Sequence, residues 1–145
     1  MPFLYIGLIA ILIAIDQVVK HLIVVNLQLG QTTSIIDGIL SFTHLNNTGA
    51  AWSVLSGHQF IFVVIGIIAL IVIAYMMFKF RNDNWYMFSL VLLFAGAAGN
   101  IIDRIRLGHV VDMFQLDFIN FPIFNCADMF LTVGILLLAI RIVRE

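Results

Sequence analysis

Four long apolar runs, separated by one short and two long polar stretches, set the frame of this chain. The first runs from Pro2 to about Val25 and is broken only by Asp16, Lys20 and His21. The second, Gln59 to Phe78, carries no charge; the third is Trp85 to Ile102 and the fourth Phe124 to Ile140. About 20 helical residues cross a bilayer core, so the pattern predicts four membrane helices, near residues 2–25, 59–78, 85–104 and 124–142. The link from Lys79 to Asn84 allows only a tight turn between antiparallel neighbours. In the interlude from Asn26 to Gly57, the Asp37-Gly38 turn signal and the alternation from Ile39 to Leu45 predict a short β-hairpin on the membrane surface. Asn46 to Ser53 reads as a turn, with Trp52 as an interfacial aromatic. Arg104 to Phe121 reads as a second polar link, and Pro122 suits a helix entrance.

Composition agrees with lipid as the solvent. The 145 residues are 63% hydrophobic and 10% charged, against roughly 25% charged in soluble domains. A net charge of −1 suggests no nucleic-acid partner. A single cysteine, Cys126, excludes an internal disulfide. The first run lacks the basic start of a signal peptide, and Asp16 and Lys20 stand where a cleavage site is expected, so it reads as a retained helix. The whole chain, 1–145, then reads as a single membrane-embedded domain. Four spans put both termini on one side, with Lys79, Arg81, Arg141 and Arg144 there and Lys20, Arg104 and Arg106 opposite. The positive-inside rule favours cytoplasmic termini by four to three, which puts both long links on the outer face.

The acids carry the chemistry. Asp16 and Lys20 are one turn apart and can pair, either as a snorkelling pair that softens the helix end or as a brace beneath a site. Asn100 with Asp103, and Asn125 with Asp128, repeat an Asn-x-x-Asp spacing at the outer ends of the third and fourth helices. Asp112 lies in the link between them. Two carboxylates close together in low dielectric share a proton. Such a pair can activate water against a peptide carbonyl and protonate the leaving amine. The same acids also suit a small transporter or cation path, although four helices without broken-helix repeats make a poor alternating-access device. Cys126 with His44 or His109 is a weaker candidate, because small buried cysteines are usually packing residues. The histidines lack zinc-ligand spacing, so no metal and no cofactor is expected. The stretch Ala95-Gly96-Ala97-Ala98-Gly99 allows close helix packing or leaves room for a substrate.

Asp16-Gln17-x-x-Lys20, Asn47-Thr48-Gly49-Ala50-Ala51-Trp52-Ser53, Gly99-Asn100-Ile101-Ile102-Asp103-Arg104, Val110-Val111-Asp112 and Phe124-Asn125-Cys126-Ala127-Asp128 occur in that order. Together they resemble bacterial lipoprotein signal peptidase, the type II signal peptidase family, over the whole chain. The resemblance implies an all-α integral membrane protein of four transmembrane helices with a small extracytoplasmic β-cradle and a short mobile surface helix, both mapping onto Asn26 to Gly57. It implies an intramembrane aspartyl endopeptidase of the bacterial cytoplasmic membrane, with its active site near the extracytoplasmic face. The enzyme would cut prolipoproteins just before their diacylglyceryl-modified cysteine. The catalytic pair falls on Asp112 and Asp128. Asn47, Asn100, Arg104 and Asn125 match positions that contact substrate or the antibiotic globomycin. Asp16, Lys20, Gly49, Asp103 and Ala127 match supporting positions. Membrane lipids are expected partners, and a monomer is expected. Trp52 and Cys126 depart from the more usual phenylalanine and aliphatic residue. The residues alone would favour Asp103 as the mate of Asp128, because it belongs to the twin motif; an adjacent cation, Arg104, could instead hold it ionised. The resemblance favours Asp112.

Overall fold

The computed structural model describes residues 2–49 and 58–144. Among these residues seven elements follow one another: α1 (Pro2–Asn26), β1 (Thr32–Ile36), β2 (Leu40–Asn47), α2 (Gln59–Lys79), α3 (Asn84–Leu107), β3 (Val110–Leu116) and α4 (Cys126–Val143). All four helices are long and apolar enough to cross a membrane.

α3 is the hub. It packs on each of the other three helices, and it alone is buried along most of its length. Its glycines make this possible. A Cβ on Gly99 would sit 2.7 Å from Asp16 Oδ2 of α1, and one on Gly96 would sit 2.5 Å from the Ala127 carbonyl oxygen of α4. The small-residue run is therefore filled by neighbouring backbone and by an acid. α2 has no buried residue, as suits a helix with most of its surface in lipid.

At one end of the bundle lies an antiparallel three-stranded sheet in the order β1-β2-β3. β1 and β2 form the expected hairpin, with Gly38 in its turn at φ 73°. β2 pairs in turn with β3, Leu45 opposite Asp112 and Asn47 opposite Val110. Val111 and Met113 of β3 pack with Ile23 of α1, joined by Val19, Leu27, Phe42 and Phe114. The sheet thus sits on the end of the first helix.

Two expectations change, and one of the two alternatives for Lys20 is decided. Arg104 to Phe121 is not simply a link: it carries β3. Gly108 caps α3 in the left-handed region, φ 74°, and the chain reverses there straight into the strand. Pro122 does not open the fourth helix, which begins at Cys126 with Asn125 as its cap. Lys20 does not snorkel, being 3% exposed. The short surface helix is not found in the part of the interlude up to Gly49. Residues 50–57, with Trp52 and the end of the Asn47-Thr48-Gly49 motif, lie outside the described residues.

Candidate active site

The hairpin-plus-strand topology delivers the acids. β3 runs from the end of α3 back under β2, and an isolated bridge joins Phe114 to Phe124. Phe114 N–H donates to the Phe124 carbonyl at 2.8 Å, and Phe124 N–H returns the bond at 3.1 Å. That bridge sets the next residue, Asn125, against Asp112. The Asn125 amide donates to Asp112 Oδ1 at 2.6 Å, and its own oxygen accepts from the Asp128 N–H at 3.0 Å. Asp128 Oδ2 accepts from the Asn125 N–H at 3.2 Å, completing a capping box. One asparagine therefore caps α4 and joins the two acids.

Other amides complete the pair. Asn100 Nδ2 donates to Asp128 Oδ1 at 2.8 Å, and Asn47 Nδ2 donates to Asp112 Oδ2 at 2.9 Å. Asp112 is 1% exposed. Burial pushes its carboxyl up to about 7, and the charge of Asp128 adds to the rise. The hydrogen bonds from Asn47 and Asn125 and the charge of Lys20 pull the other way. A carboxyl poised near neutrality beside a second carboxyl is the arrangement in which one proton is shared.

Beneath the pair lies a second charged cluster. Lys20 Nζ sits 2.8 Å from Asp16 Oδ2 and 2.9 Å from Asp103 Oδ2, and donates to Asn100 Oδ1 at 3.1 Å. Asp16 Oδ1 accepts from the Ala127 N–H at 2.9 Å, so α1 supports the first turn of α4. Asp103 Oδ2 accepts from the Val111 N–H at 3.2 Å, so α3 supports β3 beside Asp112. The cation holding Asp103 is thus Lys20 and not its neighbour Arg104. Arg104 turns away: its Nη2 donates to the Gly49 carbonyl at 3.2 Å, and its guanidinium lies 5.0 Å from the Phe62 ring centroid. Its buried Nε has no partner among the described residues.

Every predicted site residue converges here, but their contacts separate them. Among the described residues, Asp112 and Asp128 accept only from amide donors, and Asp16 and Asp103 hold the lysine. A cleft of about 510 Å³ opens beside the pair, lined by Asn47, Gly49, Arg104, Asp128 and apolar residues from Leu116 to Val133. Asp128 faces it. Cys126 is buried in the first turn of α4. His44 Nδ1 is engaged with the Leu27 carbonyl at 2.9 Å, so that nitrogen is not free for the thiol. Among the described residues no group of His, Cys, Asp or Glu could hold a metal ion.

Two further residues contribute. Gln17 Nε2 donates to Asp103 Oδ1 at 2.9 Å; its place between Asp16 and Lys20 was the available signal. Phe62 of α2 gives no sequence signal, since it lies in an unbroken apolar run.

A membrane bundle with two amide-bridged carboxylates at a cleft near one of its ends has the groups that an aspartyl peptidase of the membrane requires. Residues 8–144 match the family described as signal peptidase (SPase) II. The chain is 50% identical to the lipoprotein signal peptidase of Lactiplantibacillus plantarum over 143 residues, 99% of this chain and 96% of that one. It is 51% identical to that of Lactococcus lactis subsp. lactis over 133 residues, covering 92% and 89%. A solved structure described as a bacterial membrane enzyme superimposes with a TM-score of 0.92 at 37% identity, covering 97% of this chain and 87% of that one. The chain belongs to the signal peptidase II family. It is accordingly a bacterial membrane protease that processes the signal peptides of prolipoproteins, and the transporter reading finds no support.

Proposed function

We propose that Asp112 and Asp128 are the catalytic pair, within one membrane-embedded peptidase domain that spans the chain. The observation that carries this is the Asn125 side chain, bonded to Asp112 Oδ1 and to the backbone of Asp128, while Asp103 is ion-paired to Lys20. At neutral pH the pair holds one proton. The ionised carboxylate takes a proton from a water molecule as its oxygen attacks the scissile carbonyl carbon. The protonated carboxyl donates to the carbonyl oxygen, giving a tetrahedral intermediate. Its collapse breaks the C–N bond, with the proton passing to the leaving nitrogen.

The scissile bond precedes a diacylglyceryl-modified cysteine. Its acyl chains stay in lipid, and the apolar signal segment packs along the helices. Arg104, already on a backbone carbonyl at Gly49, holds a substrate carbonyl in the same way. Asn47, Asn100 and Asn125 hold the acids in register and take substrate polar groups at the cleft rim. Asp16, Lys20, Asp103, Gly49 and Ala127 support them. The termini lie in the cytoplasm, the cleft opens near the outer face, and the protein works as a monomer among membrane lipids.

The test is cleavage of a lipidated precursor by Asp112→Asn, Asp128→Asn and Asp103→Asn, each checked for folding. The first two should be folded and inactive, and the third chiefly destabilised. Full activity in either of the first two refutes the pair; a folded, inactive Asp103→Asn moves the pair to Asp103.

A further inference from the structure

α1 and α2 each pack on α3 but scarcely on one another. A trough therefore opens between them, floored by α3. At the end of the bundle carrying the chain termini, away from the acids, it widens into a groove of about 680 Å³. This is larger than the cleft at the acids. Met87 of α3 is buried at its floor, while Ile6 and Phe78 stand exposed on its walls. Tyr5 Oη donates to Asn84 Oδ1 at 2.9 Å across one end.

Arg81 lies at the rim. Its guanidinium is 4.7 Å from the Phe78 ring centroid, and Nη1 donates to the Phe78 carbonyl at 3.3 Å. It pairs with no carboxylate among the described residues. Asp83, two residues on, already accepts from Arg141 at 2.8 Å and from the N–H groups of Trp85 and Tyr86. Lys79 adds a second cation on the same turn, against the Phe80 ring. The groove is thus apolar where Ile6, Met77, Phe78 and Met87 line it and polar toward Tyr5, Asn82 and Asn84, open sideways to lipid, and headed by a guanidinium that no carboxylate among the described residues compensates, at the helix ends where membrane meets water.

Charge selects the occupant. The basic start of a signal peptide is repelled by Arg81 and Lys79. A zwitterionic lipid brings its own cation to the same place. An anionic phospholipid offers a phosphate to the guanidinium fork and an acyl chain to the apolar walls. We propose that this groove binds one anionic phospholipid of the leaflet at the chain termini, its phosphate on Arg81 and one acyl chain between Ile6 and Phe78 over Met87. The lipid would fasten α2, which has no fully buried residue, to α1.

The experiment is native mass spectrometry of the purified protein in detergent, after addition of phosphatidylglycerol or phosphatidylcholine of matched chains. Wild type should retain one phosphatidylglycerol, with phosphatidylcholine held roughly tenfold less well, the scale of one charge-assisted hydrogen bond. Arg81→Gln should lower phosphatidylglycerol retention to the phosphatidylcholine level. Ile6→Trp, which fills the groove and keeps the cation, should also lower it. Both variants should cleave a lipidated precursor in detergent as wild type does, which shows they are folded and separates this test from that of the catalytic pair. Equal retention of the two lipids, no retained lipid, or undiminished retention in both variants overturns the proposal.

Discussion

Replacing Asn47 by alanine removes one amide from the acid pair without touching either acid, and its effect on the pH profile can be worked from the geometry. Asn47 Nδ2 donates to Asp112 Oδ2 at 2.9 Å. A hydrogen bond to an ionised carboxylate stabilises the charged form, so this contact pulls the Asp112 carboxyl down from where burial and Asp128 would hold it. Without it the carboxyl, now at about 7, must rise. A hydrogen bond to a charged group contributes about 1.5–3 kcal/mol, and about 1.4 kcal/mol corresponds to one pH unit. The neighbouring cleft admits water, which replaces part of the lost bond. The expected shift is therefore about one unit upward.

The protonated pair then persists to higher pH, and the alkaline limb of kcat/KM moves up with it. That parameter reports the free enzyme, and the limb belongs to the pair as a unit. The assay is cleavage of a synthetic lipidated precursor, measured for both proteins across the neutral range. Asn47 Oδ1 also accepts from the Gly49 N–H at 2.9 Å, and Gly49 in turn receives Arg104. The plateau should consequently fall too, but the position of the limb does not depend on its height. An alkaline limb that stays in place or moves down would show that Asp112 is not the group titrating there.

The remaining predictions concern the support beneath the pair. Lys20→Met strips the cation from two carboxylates that are 0% and 2% exposed, and breaking a buried ion pair from one side costs about 3–5 kcal/mol. Thermal unfolding in detergent should fall by on the order of 10 °C; an unchanged midpoint would show the cluster to be idle. Gly99→Ala places a Cβ 2.7 Å from Asp16 Oδ2 and 3.3 Å from Ala127 Cβ. It should destabilise by about 1–3 kcal/mol and slow cleavage, whereas Gly7→Ala, which meets nothing within 4 Å, should leave cleavage as it was. EDTA should leave the cleavage rate unchanged, and inhibition that zinc reverses would reveal a metal requirement.

What the chain discloses unaided follows from the range of the interactions involved. The spans and the Asp37-Gly38 turn are local, and periodicity and turn chemistry report them. The Asp16–Lys20 contact is local too, one turn apart, but its purpose is not. Lys20 is a brace because Asp103, from α3, completes it, and nothing near Lys20 in sequence says so. β3 escaped for the same reason. Val110-Val111-Asp112-Met113 does not alternate, since both faces of the strand are buried, and its partner β2 lies across the whole of α2 and α3. The twin Asn-x-x-Asp motifs separate the acids least. Equal spacing suggested equal roles, yet Asn125 lies outside the helix as its cap while Asn100 lies within one. Geometry thus sends Asp103 to the lysine and Asp128 to the cleft.

That division explains how four aspartates and Lys20 can share one membrane end. Were Lys20 in direct contact with Asp112 or Asp128, it would hold that acid ionised, and no proton would be left to share. Asn100 and Asn125 stand between. Asn100 Oδ1 takes the lysine's third bond and the Asn125 amide, while its own amide reaches Asp128. Lys20 is thereby neutralised by Asp16 and Asp103, and among the described residues the acids at the cleft accept only from the weaker donors of amides. An asparagine can join the two clusters because it both accepts and donates; an aspartate at position 100 would accept from Lys20 and Asn125 but could not donate to Asp128. Asn100→Asp should therefore abolish cleavage in a folded protein even though it changes one atom. An active Asn100→Asp variant would show that the separation of the two clusters is dispensable.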